Sequence, residues 1–374
     1  MQPKRIMSAA FTQFAVTLMV NHACNLRCSY CYTGAKFSSP MPYQIGVAAI
    51  DAALRSTADS GRMELSFFGG EPLLEAAQIL KWMNYARTTA DRAHKQVRFS
   101  VTTNGTITTP DAWQVMRAED LDLTISYDGS PEAHNRHRID SSGRSTAHLV
   151  ESTLRKLLSE NQHVMVNAVV RPDTLAALPS GLKYLWNLGA VHVNLSLDLW
   201  TTWLPADALN LEACIDELAD LWLLHLPSGS LSWFDVKAAE LMGLPSEETV
   251  RCSFGAGEVA VAPSGNLYPC ERLIGEDRPE NPLRLPGHVL SQTDFLHFAP
   301  HPFARCAPCS QCALSSMCNT DCRCSNFIRT GNPNKPDGLL CRLNKAVSRS
   351  TARVLSSPQT SLPNLEQRKD SYAL

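Results

Sequence analysis

The chain has 374 residues, enough for two or three domains of about 150 residues each. Hydrophobic residues make up 44% and charged residues 19%, which excludes a disordered chain and supports a sizeable core. The net charge of -2 argues against a nucleic-acid binder that works by bulk charge. No stretch approaches the roughly 18 apolar residues of a membrane span, and the N-terminal segment lacks a signal-peptide pattern. We therefore expect a soluble, cytoplasmic protein.

Short apolar runs alternate with amphipathic stretches from residue 14 to about residue 226. Strands are expected at 15–20, 64–68, 96–102, 122–126, 164–170 and 191–197. Helices are expected at 43–57, 74–90, from Pro110 onward, and at 145–160, 175–187 and 207–225. Six strand–helix units predict a parallel α/β sheet with both faces covered, and they are too few for a closed eight-fold barrel. We expect an open, partial barrel.

The composition changes near residue 231, where Pro, Gly and Cys become frequent and long helical periods vanish. This change predicts one domain at 1–230 and a second at 231–345, organised by metal rather than by a large core. A short basic helix at 342–354 is expected to lead into a mobile C-terminal tail, which we assign to 346–374.

The cysteines indicate metal or redox chemistry. There are 13 of them, and nine lie in the last third of the chain. A disulfide framework suits a short secreted chain, whereas this one is long, lacks an export signal and has an odd number of cysteines. Cys214 is an exception, because it lies on the apolar stripe of a predicted helix and is expected in the core.

The first three cysteines, Cys24, Cys28 and Cys31, form the pattern C-x3-C-x2-C on the loop after the first strand. Three thiolates on one short loop suit three corners of a cubane iron–sulfur cluster. The fourth iron would then be open to a small molecule that carries amine and carboxylate groups. A zinc site would need a fourth Cys or His nearby, for which His22 is the candidate.

This segment, CNLRCSYC, resembles the radical S-adenosylmethionine (SAM) enzymes. Three further segments fall where that family has them: GGEP at 69–72, TNG at 103–105, and SYDG at 126–129, which is followed by His134 and Arg138. Each segment follows a predicted strand, and the carboxyl ends of strands are where α/β sites lie. The resemblance covers roughly residues 14–226 and implies a partial (β/α)6 radical SAM barrel.

The resemblance also implies which residues contact SAM. Glu71 would bind the methionine amino group, although a tight turn before a helix is the alternative interpretation of its segment. Ser126 and Arg138 would hold the carboxylate and the ribose, while the backbone of Tyr30 and the side chain of Leu195 would lie against the adenine. The full set is Tyr30, Gly69, Gly70, Glu71, Asn104, Ser126, Arg138 and Leu195.

The later cysteines resemble the seven-cysteine SPASM extension of the same family, a small cysteine-rich domain that holds two auxiliary 4Fe-4S clusters. By position, auxiliary cluster I takes Cys252, Cys270 and Cys322, and auxiliary cluster II takes Cys309, Cys312, Cys318 and Cys341. Some relatives carry another cysteine where this chain has Glu258. The fourth ligand of cluster I is therefore Cys306, Cys324 or none, and a zinc ribbon is the alternative to both clusters.

The implied cofactors are three 4Fe-4S clusters and SAM, which together generate a 5′-deoxyadenosyl radical that removes a hydrogen atom from the substrate. Two auxiliary clusters favour a net oxidation, because they offer a route for the electron that the substrate must lose. We expect a maturase that joins side chains of a ribosomally made peptide by a C–C or thioether bond. Glu271, directly after Cys270, is the candidate catalytic base, unless it pairs with Arg272.

Three alternatives stay open. Formylglycine formation on sulfatases is the first, although those maturases carry Asp where this chain has Glu271. The others are oxidation of a small molecule and a zinc-dependent scaffold or nucleic-acid adaptor. The expected partners are a precursor peptide and an electron donor such as flavodoxin or ferredoxin, with no nucleic acid and no membrane. Because only about 14 residues precede the first strand, we expect a separate leader-recognition protein or direct docking of the leader.

Overall fold

The computed structural model describes residues 10–225, 229–243, 254–298, 307–315, 318 and 322–356. Within them the strands are β1 Phe11–Met19, β2 Thr57–Phe68, β3 Gln96–Thr103, β4 Leu121–Ser126, β5 Val164–Val170, β6 His192–Leu197, β7 Ser230–Leu231, β8 Glu258–Val261, β9 Asn266–Tyr268 and β10 Leu285–His288. The α-helices are α1 Tyr43–Ser56, α2 Ala76–Arg92, α3 Pro110–Met116, α4 Pro131–His137, α5 Ala147–Ser159, α6 Leu178–Leu188, α7 Pro205–His225, α8 Ser232–Leu241, α9 Ala307–Ser310, α10 Arg323–Thr330 and α11 Gly338–Leu355. No helix in these ranges is long and apolar enough to span a membrane.

The chain forms two compact units. Unit one comprises Met1–Ile125, Ile139–His163 and Cys252–Pro302. Its strands run in the order β10-β9-β8-β1-β2-β3-β4, with β8 and β1 to β4 parallel and with β9 and β10 antiparallel to their neighbours. The sheet of unit one is therefore mixed.

Unit two comprises Ser126–Arg138, Val164–Arg251 and Phe303–Leu374. Its strands β5, β6 and β7 are parallel neighbours. The ring of Trp222 packs on Phe234 with the centroids 5.6 Å apart, and its Nε1 donates to Asp235 Oδ1 at 2.9 Å. Because the indole N–H has this acceptor, the large aromatic ring can lie in the core without an unpaired polar group.

The predicted strand–helix series is confirmed, and β5 has the predicted bounds. Several boundaries differ: β1 begins at Phe11 rather than 15, and two other differences lie next to the site. β2 begins at Thr57 rather than 64, and α2 begins at Ala76 because a 3₁₀ turn over Pro72–Glu75 precedes it. That turn is capped by the Glu71 side chain, which accepts from the Leu73 N–H at 3.0 Å.

The expectation that long helical periods vanish after residue 231 is wrong. α8 follows at once, and α11 runs for 18 residues to Leu355, so the tail boundary assigned to residue 346 falls inside a helix. β8 also returns to the sheet of unit one, where Ala15 of β1 lies opposite Glu258. The segment after residue 254 therefore adds three strands to the sheet that carries the first cysteines.

Candidate functional site

The loops after β1 and β2 leave the same edge of the sheet of unit one. Met19 pairs with Phe68, the last residue of β2, so the cysteine loop and the GGEP segment begin side by side. The third loop follows Thr103 at the end of β3. Carboxyl ends of parallel strands meet at one edge, which is where α/β folds place their ligands.

Backbone hydrogen bonds hold the first cysteine loop between its cysteines. Cys24, Cys28 and Cys31 are all partly buried. The N–H of Cys31 donates to the carbonyl of Cys28 at 3.1 Å, and the N–H of Arg27 donates to the carbonyl of Ile139 at 2.7 Å. These hydrogen bonds tie the loop to itself and to the segment after α4.

The sulfur of Cys24 has neutral hydrogen-bond donors. It accepts from the Leu26 N–H at 3.3 Å, and the Asn104 amide nitrogen lies 3.8 Å away. Burial raises the pKa of the Cys24 thiol to about 11, and the nearby Glu71 carboxylate adds to the shift. A metal that binds this sulfur would displace its proton.

The sulfur of Cys31 has a charged donor. The Lys36 ammonium nitrogen lies 2.9 Å from it, and the Thr33 hydroxyl is 3.4 Å away. Burial alone would raise the pKa of Cys31, but the Lys36 charge and these hydrogen bonds outweigh it and hold the pKa below its ordinary value. Sequence analysis missed Lys36 and Thr33, which lie five and two residues after the third cysteine.

This donor set fits an iron–sulfur cluster, because hydrogen bonds to thiolate sulfurs stabilise the ligated form. Among the described residues, no three His, Cys, Asp or Glu side chains converge on the position of a single metal ion. In a cubane each thiolate binds its own iron, so the three sulfurs need not converge on one point.

The paired glycines of GGEP are required by close backbone packing against the cysteine loop. A Cβ on Gly70 would lie 2.2 Å from the Ala23 carbonyl oxygen and 2.6 Å from that of His22. Gly69 has φ +149°, and its Cβ would lie 2.5 Å from the Asn21 carbonyl oxygen. Only glycine permits this approach, which places the GGEP segment directly beside the cysteine loop.

Glu71 is 1% exposed, and its carboxylate joins the loops after β2 and β3. Oε1 accepts from the Thr103 hydroxyl at 2.7 Å, and Oε2 accepts from the Asn104 N–H at 2.7 Å. Its own N–H donates to the Ala23 carbonyl at 2.9 Å. The carboxylate predicted to bind a methionine ammonium therefore also organises the protein around it.

Asn104 connects the TNG segment to the cysteine loop through a small amide network. Its Nδ2 donates to Asn25 Oδ1 at 2.9 Å, and its Oδ1 accepts from the N–H of Thr106 at 2.9 Å. Asn25 Nδ2 donates in turn to the Thr106 hydroxyl at 2.7 Å. Sequence analysis missed Asn25, a variable position inside the CNLRCSYC segment, and Thr106, which directly follows TNG.

In unit two, the SYDG segment and Arg138 form a buried ion pair. Arg138 Nε lies 3.1 Å from Asp128 Oδ2, and Asp128 Oδ1 accepts from the Val169 N–H at 3.0 Å. His134 is fully buried and stacks on Tyr127 with the ring centroids 4.6 Å apart. Burial, together with the Arg138 charge, lowers the pKa of His134 to about 3. The guanidinium predicted to hold SAM thus has one carboxylate partner within the protein.

The remaining predicted SAM contacts differ in burial. Tyr30 is half-buried, Ser126 is buried at the end of β4, and Leu195 is 4% exposed on β6. The Leu195 N–H donates to the Ser232 hydroxyl at 3.2 Å, which fixes this part of β6. Their roles toward SAM stay predictions.

Cys270 and Glu271 lie together in unit one, just after β9. The Cys270 thiol is 3.4 Å from Glu271 Oε2, and both residues are half-buried. The Tyr32 ring stacks on Phe68, with the centroids 6.2 Å apart. Burial and the negative charge of Glu271 raise the pKa of Tyr32 well above its usual range. The cysteine predicted to bind auxiliary cluster I therefore lies close to a potential base.

The other late cysteines belong to unit two where they are described. Cys312 donates its N–H to the Cys309 carbonyl at 3.2 Å, and Cys341 lies in the first turns of α11. Cys318 is partly buried. Cys252 and Cys306 lie outside the described residues, so the ligand sets assigned to them stay predictions.

Three further cysteines of unit two are informative. The sulfurs of Cys322 and Cys324 are 3.3 Å apart, and Cys324 is 3% exposed. Cys214 is buried on α7, its thiol faces the Leu175 carbonyl at 3.8 Å, and burial raises its pKa to about 12. The predicted core position of Cys214 is confirmed.

Comparison with known proteins agrees with the motifs. The model of the Radical SAM superfamily matches residues 18–178. The radical SAM cyclopropyl synthase TigE of Paramaledivibacter caminithermalis is 23% identical over 315 residues, covering 79% of this chain and 64% of TigE. This chain therefore spans less than two thirds of the length of TigE. The cysteine-type anaerobic sulfatase-maturating enzyme of Clostridium novyi is 22% identical over 269 residues, covering 67% and 71% of the two chains.

Solved structures share the fold at low identity. The enzyme anSMEcpe with bound AdoMet has a TM-score of 0.78 and 17% identity, covering 96% of this chain and 98% of anSMEcpe. SuiB of Streptococcus suis, bound to its precursor peptide SuiA, has a TM-score of 0.59 and 11% identity over 88% of this chain and 76% of SuiB. The family match identifies residues 18–178 as a radical SAM domain, and the solved structures show that the chain shares their fold.

Proposed function

We propose that this enzyme oxidatively modifies a ribosomally made peptide and joins two of its side chains through a C–C or thioether bond. The observation that supports this most is that two proteins sharing its fold have been solved with peptides. anSMEcpe was solved with the Cp18Cys peptide, and SuiB with its precursor peptide SuiA. TigE is named a cyclopropyl synthase, and closing such a ring forms a carbon–carbon bond.

We assign the cofactors to the residues that the motifs single out. Bound SAM would supply a 5′-deoxyadenosyl radical, which removes a hydrogen atom from the substrate. Cys24, Cys28 and Cys31 would hold the cluster next to SAM. Tyr30, Gly69, Gly70, Glu71, Asn104, Ser126, Arg138 and Leu195 would contact SAM. Cys252, Cys270 and Cys322 would hold auxiliary cluster I, and Cys309, Cys312, Cys318 and Cys341 would hold auxiliary cluster II.

The proposed bond requires that two hydrogens leave the peptide. One leaves as a hydrogen atom, and the other leaves as a proton together with one electron. We assign proton removal to Glu271, because its carboxylate is half-buried and lies 3.4 Å from the Cys270 sulfur. A base next to a ligand of an auxiliary cluster would take the proton from the substrate close to the cluster that accepts its electron.

Formylglycine formation is the second candidate, supported by the relative from Clostridium novyi. Against it stands Glu271, which places its carboxylate one methylene further from the backbone than the Asp of those maturases. Oxidation of a small molecule is the third candidate. In every case we propose an external one-electron donor such as flavodoxin or ferredoxin, and for a peptide substrate also a leader-recognition protein or direct docking of the leader.

The test uses the full-length protein, reconstituted without oxygen, with SAM, a reductant and two separate peptides. One is a short peptide chosen by a search of the genes next to that of this chain, and the other is Cp18Cys. We expect the first to become lighter by two hydrogens and to resist fragmentation between the linked residues, and Cp18Cys to stay unmodified. Conversion of the Cp18Cys cysteine to formylglycine would contradict the cross-linking assignment in favour of the second candidate.

Glu271→Gln and the conservative Glu271→Asp test the base. General-base assistance is typically worth about 10²–10⁴-fold, so Gln should lower the rate of peptide modification by that factor while 5′-deoxyadenosine still forms. Asp should retain most of the activity. Equal rates in Glu271→Gln and wild type would return Glu271 to a structural role.

A further inference from the structure

We propose that Lys36 raises the reduction potential of the cluster held by Cys24, Cys28 and Cys31, through its contact with the sulfur of Cys31. Lys36 acts by placing its positive charge next to a ligand of the cluster, and it does not bind the cluster itself. This inference rests on the cluster assignment of the proposed function, and it is independent of which substrate the enzyme modifies.

The contact is direct, and it is supported by a second side chain. The Lys36 ammonium lies 2.9 Å from Cys31 Sγ and also hydrogen-bonds the Thr33 hydroxyl. Thr33 is 4% exposed, and its hydroxyl is 3.4 Å from the same sulfur. The three polar atoms therefore form a small network centred on one cysteine.

The neighbours of Lys36 are anchored on both sides. The N–H of Ala35 donates to Glu276 Oε1 at 3.1 Å, while the Phe37 ring stacks on His22 with the centroids 4.4 Å apart. His22 is 2% exposed, which makes it a firm support for Phe37. A lysine between two anchored residues has less freedom to leave the sulfur than one on an open loop.

The hydrogen-bond donors to Cys24 and Cys31 differ in charge. Among the described residues, Cys24 receives a backbone N–H and an amide nitrogen, whereas Cys31 receives an ammonium. Glu276, the carboxylate that binds the backbone next to Lys36, is itself paired with Arg278 at 2.9 Å and with the Ala35 N–H. The Lys36 charge is therefore not cancelled by that carboxylate.

A positive donor on a ligating sulfur stabilises the more negative, reduced state of a cluster. Net charge and hydrogen bonds to the sulfurs are among the main determinants of iron–sulfur potentials. Reduction of this cluster must precede SAM cleavage, so Lys36 would make the enzyme easier to activate by a weak reductant. If Lys36 only tied the loop together, its charge would not matter.

The experiment is a redox titration of the full-length, reconstituted holoenzyme, followed by electron paramagnetic resonance. The cluster of interest is identified as the one whose signal changes when SAM is added. The variants are Lys36→Met, which removes charge and donor, Lys36→Gln, which keeps a neutral donor, and Lys36→Arg, which keeps the charge. Lys81→Met, on the exposed side of α2, is the control.

At a fixed potential, we expect Lys36→Met to lower the ratio of reduced to oxidised cluster about tenfold, equivalent to 59 mV for a one-electron couple. Lys36→Arg and Lys81→Met should stay within about twofold of wild type, with Lys36→Gln between them and Lys36→Met. If Lys36→Met does not retain the cluster, the difference between Gln and Arg decides.

Ratios for Lys36→Met and Lys36→Gln within twofold of wild type would overturn the inference. A shift in Lys36→Arg as large as that in Lys36→Gln would overturn it as well, because the charge would then be irrelevant. A wild-type protein without any SAM-sensitive signal would instead overturn the cluster assignment itself. The two failures are therefore distinguishable.

Discussion

Arg138 and Asp128 form a buried ion pair, with side-chain exposures of 8% and 4% and an Nε–Oδ2 distance of 3.1 Å. Asp128 also accepts the Val169 N–H, so one carboxylate joins the end of α4 to β5. Removing one partner of a buried pair leaves an uncompensated charge. The Asp of the SYDG segment is therefore as necessary to the local structure as the Arg that the family motif emphasises.

We predict that Asp128→Ala lowers the free energy of unfolding by about 3–5 kcal/mol, the usual cost of breaking a buried pair. Arg136→Ala is the control, since that arginine is 58% exposed and pairs with Asp173. Its cost should stay below about 1 kcal/mol. Denaturant unfolding measures both, and equal effects would contradict the importance assigned to the buried pair.

Gly70→Ala should disrupt the cysteine loop, because the new Cβ would meet the backbone oxygens of His22 and Ala23. We expect the reconstituted protein to lose about one third of its iron, the share of one cubane in three. Gly338→Ala is the matched control, since no described atom outside its own stretch of helix lies within 4 Å of the added Cβ. Full iron content in the Gly70 variant would mean that the close approach is not needed for the cluster.

Glu71→Gln should weaken SAM binding about 10- to 150-fold, the equivalent of losing one charge-assisted contact of about 1.5–3 kcal/mol. Thr103→Val separates this effect from the structural one, because it removes a donor to Glu71 Oε1 and keeps the charge. We expect that variant to lose stability and to keep its SAM affinity within about threefold. Isothermal titration with SAM measures both variants, and wild-type affinity in Glu71→Gln would leave Glu71 with its structural role alone.

His134 should make the protein sensitive to acid. Its pKa is about 3 in the folded protein against an ordinary 6.5, so the unfolded chain binds the proton more readily between these values. The stability from neutral His134 is therefore complete above pH 6.5 and is lost as the pH falls toward 3. The slope is about 1.4 kcal/mol per pH unit for one proton.

We predict that His134→Gln, whatever its cost at neutral pH, has a flatter dependence of unfolding free energy on pH between 6 and 4 than wild type. The exposed His148→Gln serves as the control and should keep the wild-type slope. A wild-type slope in His134→Gln would show that the histidine is not the acid-sensitive group.

The sequence was most informative where a local pattern determines structure. The strand–helix alternation located β1 to β6, and in β5 buried residues alternate with half-buried ones, so the apolar run marked the strand without both of its faces being fully buried. The position of β8 could not be predicted in this way. Its pairing with β1 joins residues more than 240 positions apart, which no local pattern can indicate.

The side chains that contact the cysteine sulfurs could not be predicted from the sequence either. Cysteine spacing singled out Cys31, but the contact of Lys36 with its sulfur depends on the fold of the loop and on Glu276, far away in the sequence. Likewise, the motif singled out Glu71 as a ligand contact, and the sequence did not indicate that its carboxylate also binds Thr103 and the Asn104 N–H.

The most direct test of the central claim is release of 5′-deoxyadenosine from SAM by the reduced full-length protein and by the Cys24→Ala, Cys28→Ala, Cys31→Ala triple variant. Circular dichroism of both proteins controls for folding. We predict that the wild type releases 5′-deoxyadenosine, and that the variant releases none and holds about two thirds of the wild-type iron, since each cubane needs its thiolates. Release of 5′-deoxyadenosine by the folded triple variant at the wild-type rate would contradict the assignment of SAM cleavage to these three cysteines.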